Sequence, residues 1–316
     1  MQQSFAAVFP VHAGPGAGRV LPFGLPRMKA VVRDLCGLAP SLARAGMLEL
    51  RLATTKKEIR RAQRLRYKVF FEEGTAIPDR TAKLLRRDIC PFDKVCDHLL
   101  VINHAARGKR LVRIKPRVIG VYRLLRGDVA LRSFGFYSGQ EFDIAPLLAR
   151  HAGKRFLELG RACVLADYRG KGVIELLWQG IGAYVRHHAI DVLIGCASLE
   201  GCDPVRLAPQ LAVLAQAAAG AASADWSARA RADRRIAMPD TPLTPLQAAR
   251  AWRALPPLVK AYLRCGACVG DGAVADPRFG TTDVLVVLPV AQIAPRYLAQ
   301  FGGAGLVEER QLRASA

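Results

Sequence analysis

From Met47 the chain alternates apolar and polar positions through MLELRLA, the period-two pattern of a strand with one buried face. The period then lengthens. Ile59, Ala62, Leu65, Val69 and Phe70 recur at helical spacing, and Thr55 with Glu58 three residues on makes a capping box, so a helix is predicted to about Glu73. Gly74 to Asp93 mixes charges and reads as an irregular loop. HLLVIN and RVIGVYRLL are apolar runs of buried strands, joined by the basic stretch ARGKRLVRIKPR as a hairpin. Ala130 to Phe136 reads as a further strand, and RFLELGRACVL as a longer one. The chain then turns at DYRGKG into a helix from about Val173 to His188, followed by a strand at DVLIGCAS. Residues 203–265 are Ala-rich and read as helical, broken by prolines around 239–245, before TTDVLVVLPV as a final strand.

Strands and helices mixed around a strand–turn–helix unit predict an α/β fold in which helices flank a mixed central sheet. The helical segment of 203–265 is an insertion before the last strand. One domain is expected over 47–316. Residues 1–46 read as a leader: 1–27 are rich in Gly, Pro and Ala and predict disorder, and 28–46 suit a short basic helix.

Composition narrows the class. With 51% hydrophobic and 23% charged residues over 316 positions, the chain has ample core and is no disordered tail. The 47 basic residues outnumber the 26 acidic ones, a formal charge of +21 that favours acidic protein, anionic lipid or phosphate as partner. Nucleic acid is the least favoured partner, because no helix-turn-helix, zinc framework or RNP-type aromatic strand is present. Eight cysteines are irregularly spaced, and Cys265 and Cys268 form a lone CxxC with no second pair. Reduced thiols and no metal site are therefore expected. With neither a secretory signal pattern nor a spanning apolar run, the expectation is a cytoplasmic protein, free or peripheral on the inner membrane face.

The most informative segment is the turn Asp167-Tyr168-Arg169-Gly170-Lys171-Gly172 between a strand and a helix. Free N–H groups, the positive end of the helix dipole, two cations and glycines that admit close approach together suit a phosphate. A plain tight turn is the competing reading.

These residues resemble the phosphopantetheine-binding turn of GNAT-fold N-acyltransferases, with Arg169, Gly170, Lys171 and Gly172 in the anion-binding role. Where that pattern ends in a small residue, this chain has Ile174, a departure that suits branches taking long acyl chains from acyl carrier protein. Arg66-Tyr67-Lys68-Val69-Phe70, Asp93 and Asp97, Arg123 and Glu158-Leu159-Gly160-Arg161 resemble motifs of acyl-homoserine-lactone synthases. FDKVCDHLLV, ELGRACVLADYR and the blocks around LLWQGIGAYVRHHAIDVLIGCASLEGCDP are similar to the L-ornithine Nα-acyltransferases of bacterial ornithine lipid synthesis, over about residues 48–301.

The resemblance implies a GNAT-like fold and direct transfer of a 3-hydroxyacyl group from acyl carrier protein to the α-amine of L-ornithine. The donor is the carrier's acyl-phosphopantetheine, and no permanently bound cofactor is implied. Such aminolysis needs a deprotonated amine, a stabilised oxyanion and alignment of two substrates. Glu158 is the first candidate for orienting or deprotonating the ammonium and Asp97 the second, with Arg161 as their catalytic partner. Arg66, Phe70, Asp93 and Arg123 are candidates for substrate binding. Arg161 and Arg123 either clamp the ornithine carboxylate or hold Glu158 in a structural pair. Glu158 and Arg161 are three apart, so a regular strand points them to opposite faces unless a β-bulge realigns them. Phe70, Phe92 and Trp178 suit either an acyl tunnel or ordinary core. Cys163 reads as a core thiol, and His187 and His188 as cations at a helix end. The basic loop from Arg107 to Arg117 serves either as a solvated hairpin or as a dock for the acidic carrier protein or an anionic lipid surface. A synthase of acyl-homoserine lactone, an N-acyltransferase for another amino acid and a non-enzymatic basic binding module remain the competing classes.

Overall fold

The structure, a computed structural model, describes residues 35, 37–39, 41–106, 116–219 and 224–298. The described strands are β1 (Ser41–Ala45), β2 (Leu48–Leu52), β3 (Asp97–Asn103), β4 (Arg117–Arg126), β5 (Phe142–Asp143), β6 (Phe156–Val164), β7 (Val192–Glu200), β8 (Arg229–Ala230), β9 (Arg235–Ile236), β10 (Cys268–Asp276) and β11 (Thr281–Pro289). They form one sheet in the order β1-β2-β3-β4-β6-β7-β11-β10-β8-β5, with β9 paired to β10. Most neighbours are antiparallel; β6 and β7 run parallel, joined by a helical crossover.

The helices used below are α1 (Lys56–Tyr67), α2 (Arg80–Leu85), α3 (Gly127–Leu131), α4 (Ala145–Arg150), α5 (Lys171–His187), α6 (Pro204–Ala218), α7 (Pro245–Ala254) and α8 (Pro257–Cys265). The capping box at Thr55 and Glu58 opens α1 as its sequence requires, and a π-helical turn over Lys68–Glu72 extends it. None of the described helices is long and apolar enough to cross a membrane.

Two apolar clusters hold the layers together. The larger one joins α1, α5, α6 and α8 to the sheet through Leu50, Leu99, Leu177, Trp178, Leu211 and Tyr262. The smaller one gathers Phe92, Phe136, Phe142, Phe156, Ile194 and Leu285 beneath the segment that carries α3, β5 and α4. Burying such aromatic and branched side chains is worth about 1.5–3 kcal/mol each.

Three expectations are corrected. Ser41–Ala45 is a strand paired with β2 across Gly46, whose φ of 57° makes the turn, and so it is no part of a basic helix over 28–46. Ala130 to Phe136 is not a strand. Its start belongs to α3, which turns Val129 and Ala130 into the smaller core. The segment 203–265 is not continuously helical, since β8 and β9 interrupt it and pair with β10, a strand that the Gly- and Asp-containing run CVGDGAVAD conceals.

The feature that positions the site is the parting of β6 from β7. They pair only over Phe156, Leu157 and Glu158 against Val192, Leu193 and Ile194. At the next step a Cβ placed on Gly195 falls 2.4 Å from the carbonyl oxygen of Leu159, so only glycine lets the two backbones pass. Gly195→Ala forces the strands apart, an overpacking cost of about 1–3 kcal/mol or more. We expect a Tm lower by at least about 2–4 °C, with activity reduced; an unchanged Tm contradicts this account of the contact.

Candidate active site

Beyond Glu158 the two strands enclose a small cavity of about 40 Å3, lined by Gly160, Arg161, Gly195, Cys196, Leu258 and Tyr262 among others. That is room for a few water molecules at most, too little for an acyl chain. Tyr122 and Tyr262 share a buried hydroxyl–hydroxyl hydrogen bond of 2.5 Å at its wall. Along this stretch the pairing of β6 with β4 slips: Val121 faces Cys163 but Arg123 faces Gly160. The extra residue is a bulge, and Arg161 takes a φ of 53°, a left-handed value that costs a non-glycine residue energy. The bulge answers the spacing problem in the sequence, because Glu158 and Arg161 both reach Tyr137.

Glu158 is buried and accepts hydrogen bonds from the backbone N–H of Tyr137 and of Ser138, each at 2.7 Å, and from the Ser138 hydroxyl. Burial pushes its pKa up; these three donors and Arg123 pull against that. A carboxylate holding three donors anchors the turn at Tyr137. The Tyr137 ring in turn stacks between two guanidiniums, Arg161 at 4.7 Å and Arg123 at 5.3 Å from its centroid. Arg161 donates to the Tyr137 hydroxyl at 3.2 Å and lies 4.6 Å from the Phe279 ring centre on its other side.

Behind this turn lies a buried ion network. Arg66, only 1% exposed, donates to Asp88 Oδ2 and Asp93 Oδ2 at 2.7 Å each. Asp93 also faces Arg123 at 3.6 Å, accepts from Gln63 at 2.9 Å and has His98 near it. Arg161 lies 3.6 Å from Asp88. Burial alone would raise the pKa of Asp93, but Arg66, His98 and Arg123 hold it well below the usual carboxylate range. Arg66, Asp93, Arg123 and Arg161 are thus brought together, with Asp88 as a member the sequence reading overlooked.

Other candidates lie apart. Asp97 starts β3 and accepts from the Tyr184 hydroxyl at 2.7 Å. Phe70 is half-buried and meets Phe279 edge-on at 5.7 Å. Phe92 belongs to the smaller core, and Trp178 packs edge-on against Tyr262 at 5.4 Å, so none of these three aromatics lines the slot. Cys163 is a buried thiol that burial pushes well above its ordinary pKa, as a core residue. The basic stretch 107–115 and the Lys171 side chain lie outside the described residues.

The strand β6 runs through a 3-10 turn, Ala166–Tyr168, into the Arg169–Gly172 turn before α5. Gly170 caps α5 with no side-chain acceptor on its first N–H groups. Open space lies where Gly170 and Gly172 would carry a Cβ. Arg169 is exposed beside them and donates to Val164 O at 3.1 Å and to Glu73 at 3.1 Å.

A second polar group escaped the sequence reading. Glu141, Asp276 and Asp283 each place a carboxylate oxygen within 4.8 Å of the others. Glu141 accepts from the thiol of Cys196, a slot residue; burial and Asp283 push its pKa up to about 7. The signal available was Asp283 itself, an acid inside the buried-type run TTDVLVVLPV.

Residues 65–179 match the acetyltransferase (GNAT) domain family. The chain is 48% identical over 260 residues to the L-ornithine N(alpha)-acyltransferase of Agrobacterium fabrum, covering 82% of this chain and 87% of that one. It is 46% identical over 261 residues to the L-ornithine N(alpha)-acyltransferase of Rhizobium meliloti, covering 83% and 86%. Among solved structures, FeeM, an N-acyl amino acid synthase from uncultured soil microbes, is similar over 80% of this chain and 97% of that chain, at 13% identity and a TM-score of 0.43.

The buried network sets an acid-stability prediction. Because the folded pKa of Asp93 lies below its ordinary 3.8, its contribution is present above that value and lost as pH falls through the folded pKa. Asp93→Asn leaves Arg66 and Arg123 short of a counter-charge, a cost of about 3–5 kcal/mol. We expect the Tm gap between wild type and variant to be widest near neutrality and to narrow below pH 3.8 in thermal melts. A gap absent at neutral pH contradicts the assignment.

Proposed function

The chain belongs to the family of L-ornithine Nα-acyltransferases, and from that premise we propose that it moves a 3-hydroxyacyl chain from the phosphopantetheine thioester of acyl carrier protein to the α-amine of L-ornithine. The product is a lyso-ornithine lipid. The observation that carries this reading is the slot between β6 and β7, which leads along β6 into the uncapped N-terminus of α5.

The donor arm suits this path. Its phosphate finds free N–H groups, the positive helix end and Arg169 at the α5 turn. Its thioester then lies along β6 beyond Glu158, where β7 no longer pairs and where backbone N–H groups would suit an oxyanion. Leu258 and Tyr262 of α8 line this small slot, so a long chain would need α8 to give way.

The acceptor amine attacks from the side that carries Tyr137 and Arg161. The α-ammonium first gives a proton to solvent; the neutral amine forms the new C–N bond, the C–S bond breaks, and the proton that nitrogen sheds on becoming an amide goes to the departing thiolate. Arg161 and Arg123 suit the ornithine carboxylate, since guanidinium pairs bidentately with that group. Glu158 holds the Tyr137 turn that presents them, and acts as a positioning residue; Arg66 and Asp93 brace it from behind. Asp97 lies outside this arrangement. The basic stretch of 107–115, with the high overall charge, suits docking of an acidic carrier protein or brief contact with an anionic membrane.

The test is incubation of purified protein with 3-hydroxyacyl carrier protein and, in turn, labelled ornithine, lysine, glycine and S-adenosylmethionine, followed by lipid extraction. Labelled lipid from ornithine is expected, and less from the same acyl chain on coenzyme A. Lipid from another acceptor and none from ornithine contradicts the reading.

Arg169→Ala is expected to raise KM for the acyl donor about tenfold, the scale of one charge-assisted hydrogen bond, and to leave KM for ornithine nearly unchanged. An unaltered donor KM removes Arg169 from the phosphate site.

A further inference from the structure

The acid group of Glu141, Asp276 and Asp283 is unlike the network around Arg66, in which Asp88 and Asp93 are each ion-paired to a buried guanidinium. Glu141 is 3% exposed and Asp283 7%. Glu141 Oε2 and Asp283 Oδ1 are buried with no hydrogen-bond partner among the described residues. Buried carboxylate oxygens in that condition weaken a fold unless a cation comes to them. Arg161 and Arg234 lower the charge's cost from a distance, but neither forms an ion pair with the three acids among the described residues.

Position ties the group to the slot. The Cys196 thiol that lines the slot donates to Glu141, and Tyr137 feels both Glu141 and Asp276. Asp283 sits on β11 opposite Ser198 of β7, two residues beyond Cys196, and lies in the field of Arg161. Here three acceptors converge beside the Arg161 guanidinium, a cation site next to an anion site.

An acceptor that fits both carries a carboxylate and a cation. Its reacting amine is not that cation, because acids that stabilise an ammonium hold its proton and oppose attack on the thioester. The cation is therefore a second, non-reacting amine. An alkylammonium offers three N–H donors, matched to three carboxylates.

We propose that Glu141, Asp276 and Asp283 form the pocket for the side-chain ammonium of the acceptor amino acid, and that this pocket makes the protein choose a diamino acid over a monoamino acid of equal length. This rests on the reading of the acceptor as ornithine.

The experiment measures kcat/KM for L-ornithine and for L-norvaline, which has the same carbon chain without the side-chain amine. It uses wild type, Glu141→Gln, Asp283→Asn and the double variant. Wild type should favour ornithine by about 100-fold, the scale of a paired buried charge. The double variant should cut that preference by about 30-fold, through KM for ornithine, with norvaline unchanged. A preference that does not move, or an equal fall for both substrates, overturns the pocket while leaving ornithine acylation intact. A wild type inactive on ornithine overturns the functional reading together with the pocket's occupant. Activity lost in EDTA and restored by Ca2+ or Mg2+ makes the three acids a divalent-metal site and overturns the proposal.

Wild type alone gives a second readout if the variants do not fold. Falling pH protonates Glu141, which faces Asp283, Asp276, the Cys196 thiol, Tyr137 and Arg234, and so removes charge from the pocket. The ratio of KM for ornithine to KM for norvaline should rise as pH falls from about 8 to about 6, since the α-amine and carboxylate common to both cancel in it. Parallel changes for the two substrates overturn the assignment. Relief of like charge should also make Glu141→Gln more heat-stable than wild type at pH above 7.

Discussion

Three residue pairs bind β6 to β7, and everything distinctive about the site follows from their ending at Glu158 and Ile194. Gly195 allows the close pass that starts the divergence, and the bulge at Arg161 turns the freed stretch of β6 so that its charged side chains share one face. A regular strand would have paired on and filled the sheet. Instead, the β6–β7 ladder stops at Glu158, and β6 leads through a short 3-10 turn to a helix N-terminus that suits a phosphate. In the proposed function, donor and acceptor meet where β7 leaves β6.

The buried charges fall into two kinds. Around Arg66 each acid is paired with a cation: Asp88 and Asp93 face Arg66, Arg123 and Arg161, and Gln63 and His98 close the network. Such a network adds little net stability over an apolar core, yet removing one member is costly, so it fixes geometry. Glu141 and Asp283 are the opposite case, each with an oxygen lacking a hydrogen-bond partner among the described residues, and with pKa values raised by burial and by a neighbouring acid, Asp283 for Glu141 and Asp276 for Asp283. In the proposed pocket that charge is balanced by the side-chain ammonium of the acceptor. The family's acceptor, an amino acid with two amines, has the cation to do so.

The fold was legible where local rules act alone. The capping box at Thr55, the apolar runs of β3, β4 and β11, and the turn before α5 follow from periodicity and cap chemistry. β10 escaped because Gly270 and Gly272 break its pattern, and they are there for close packing against Ala228 and Arg235. The α3 segment resembles a strand in its alternation, but helical dihedrals begin at Gly127 and bury Val129 and Ala130 on one side. Arg66, Asp93, Arg123, Glu158 and Arg161 were recognisable through motif resemblance. Their grouping depends on a bulge that no spacing rule foretells. Asp88 and the three-acid pocket come from segments far apart in the chain, and only topology joins them.

The most direct test of this account is a crystal structure of the protein with a bisubstrate adduct, acyl-pantetheine phosphate joined through its acyl carbonyl to the α-nitrogen of ornithine. The account predicts that the carbonyl lies between Gly160 and Gly195, the phosphate at the Arg169–Gly172 turn and the ornithine side chain toward Glu141 and Asp283. An adduct seated elsewhere, such as the basic cavity lined by Arg126, His151, Lys154 and His188, would contradict it.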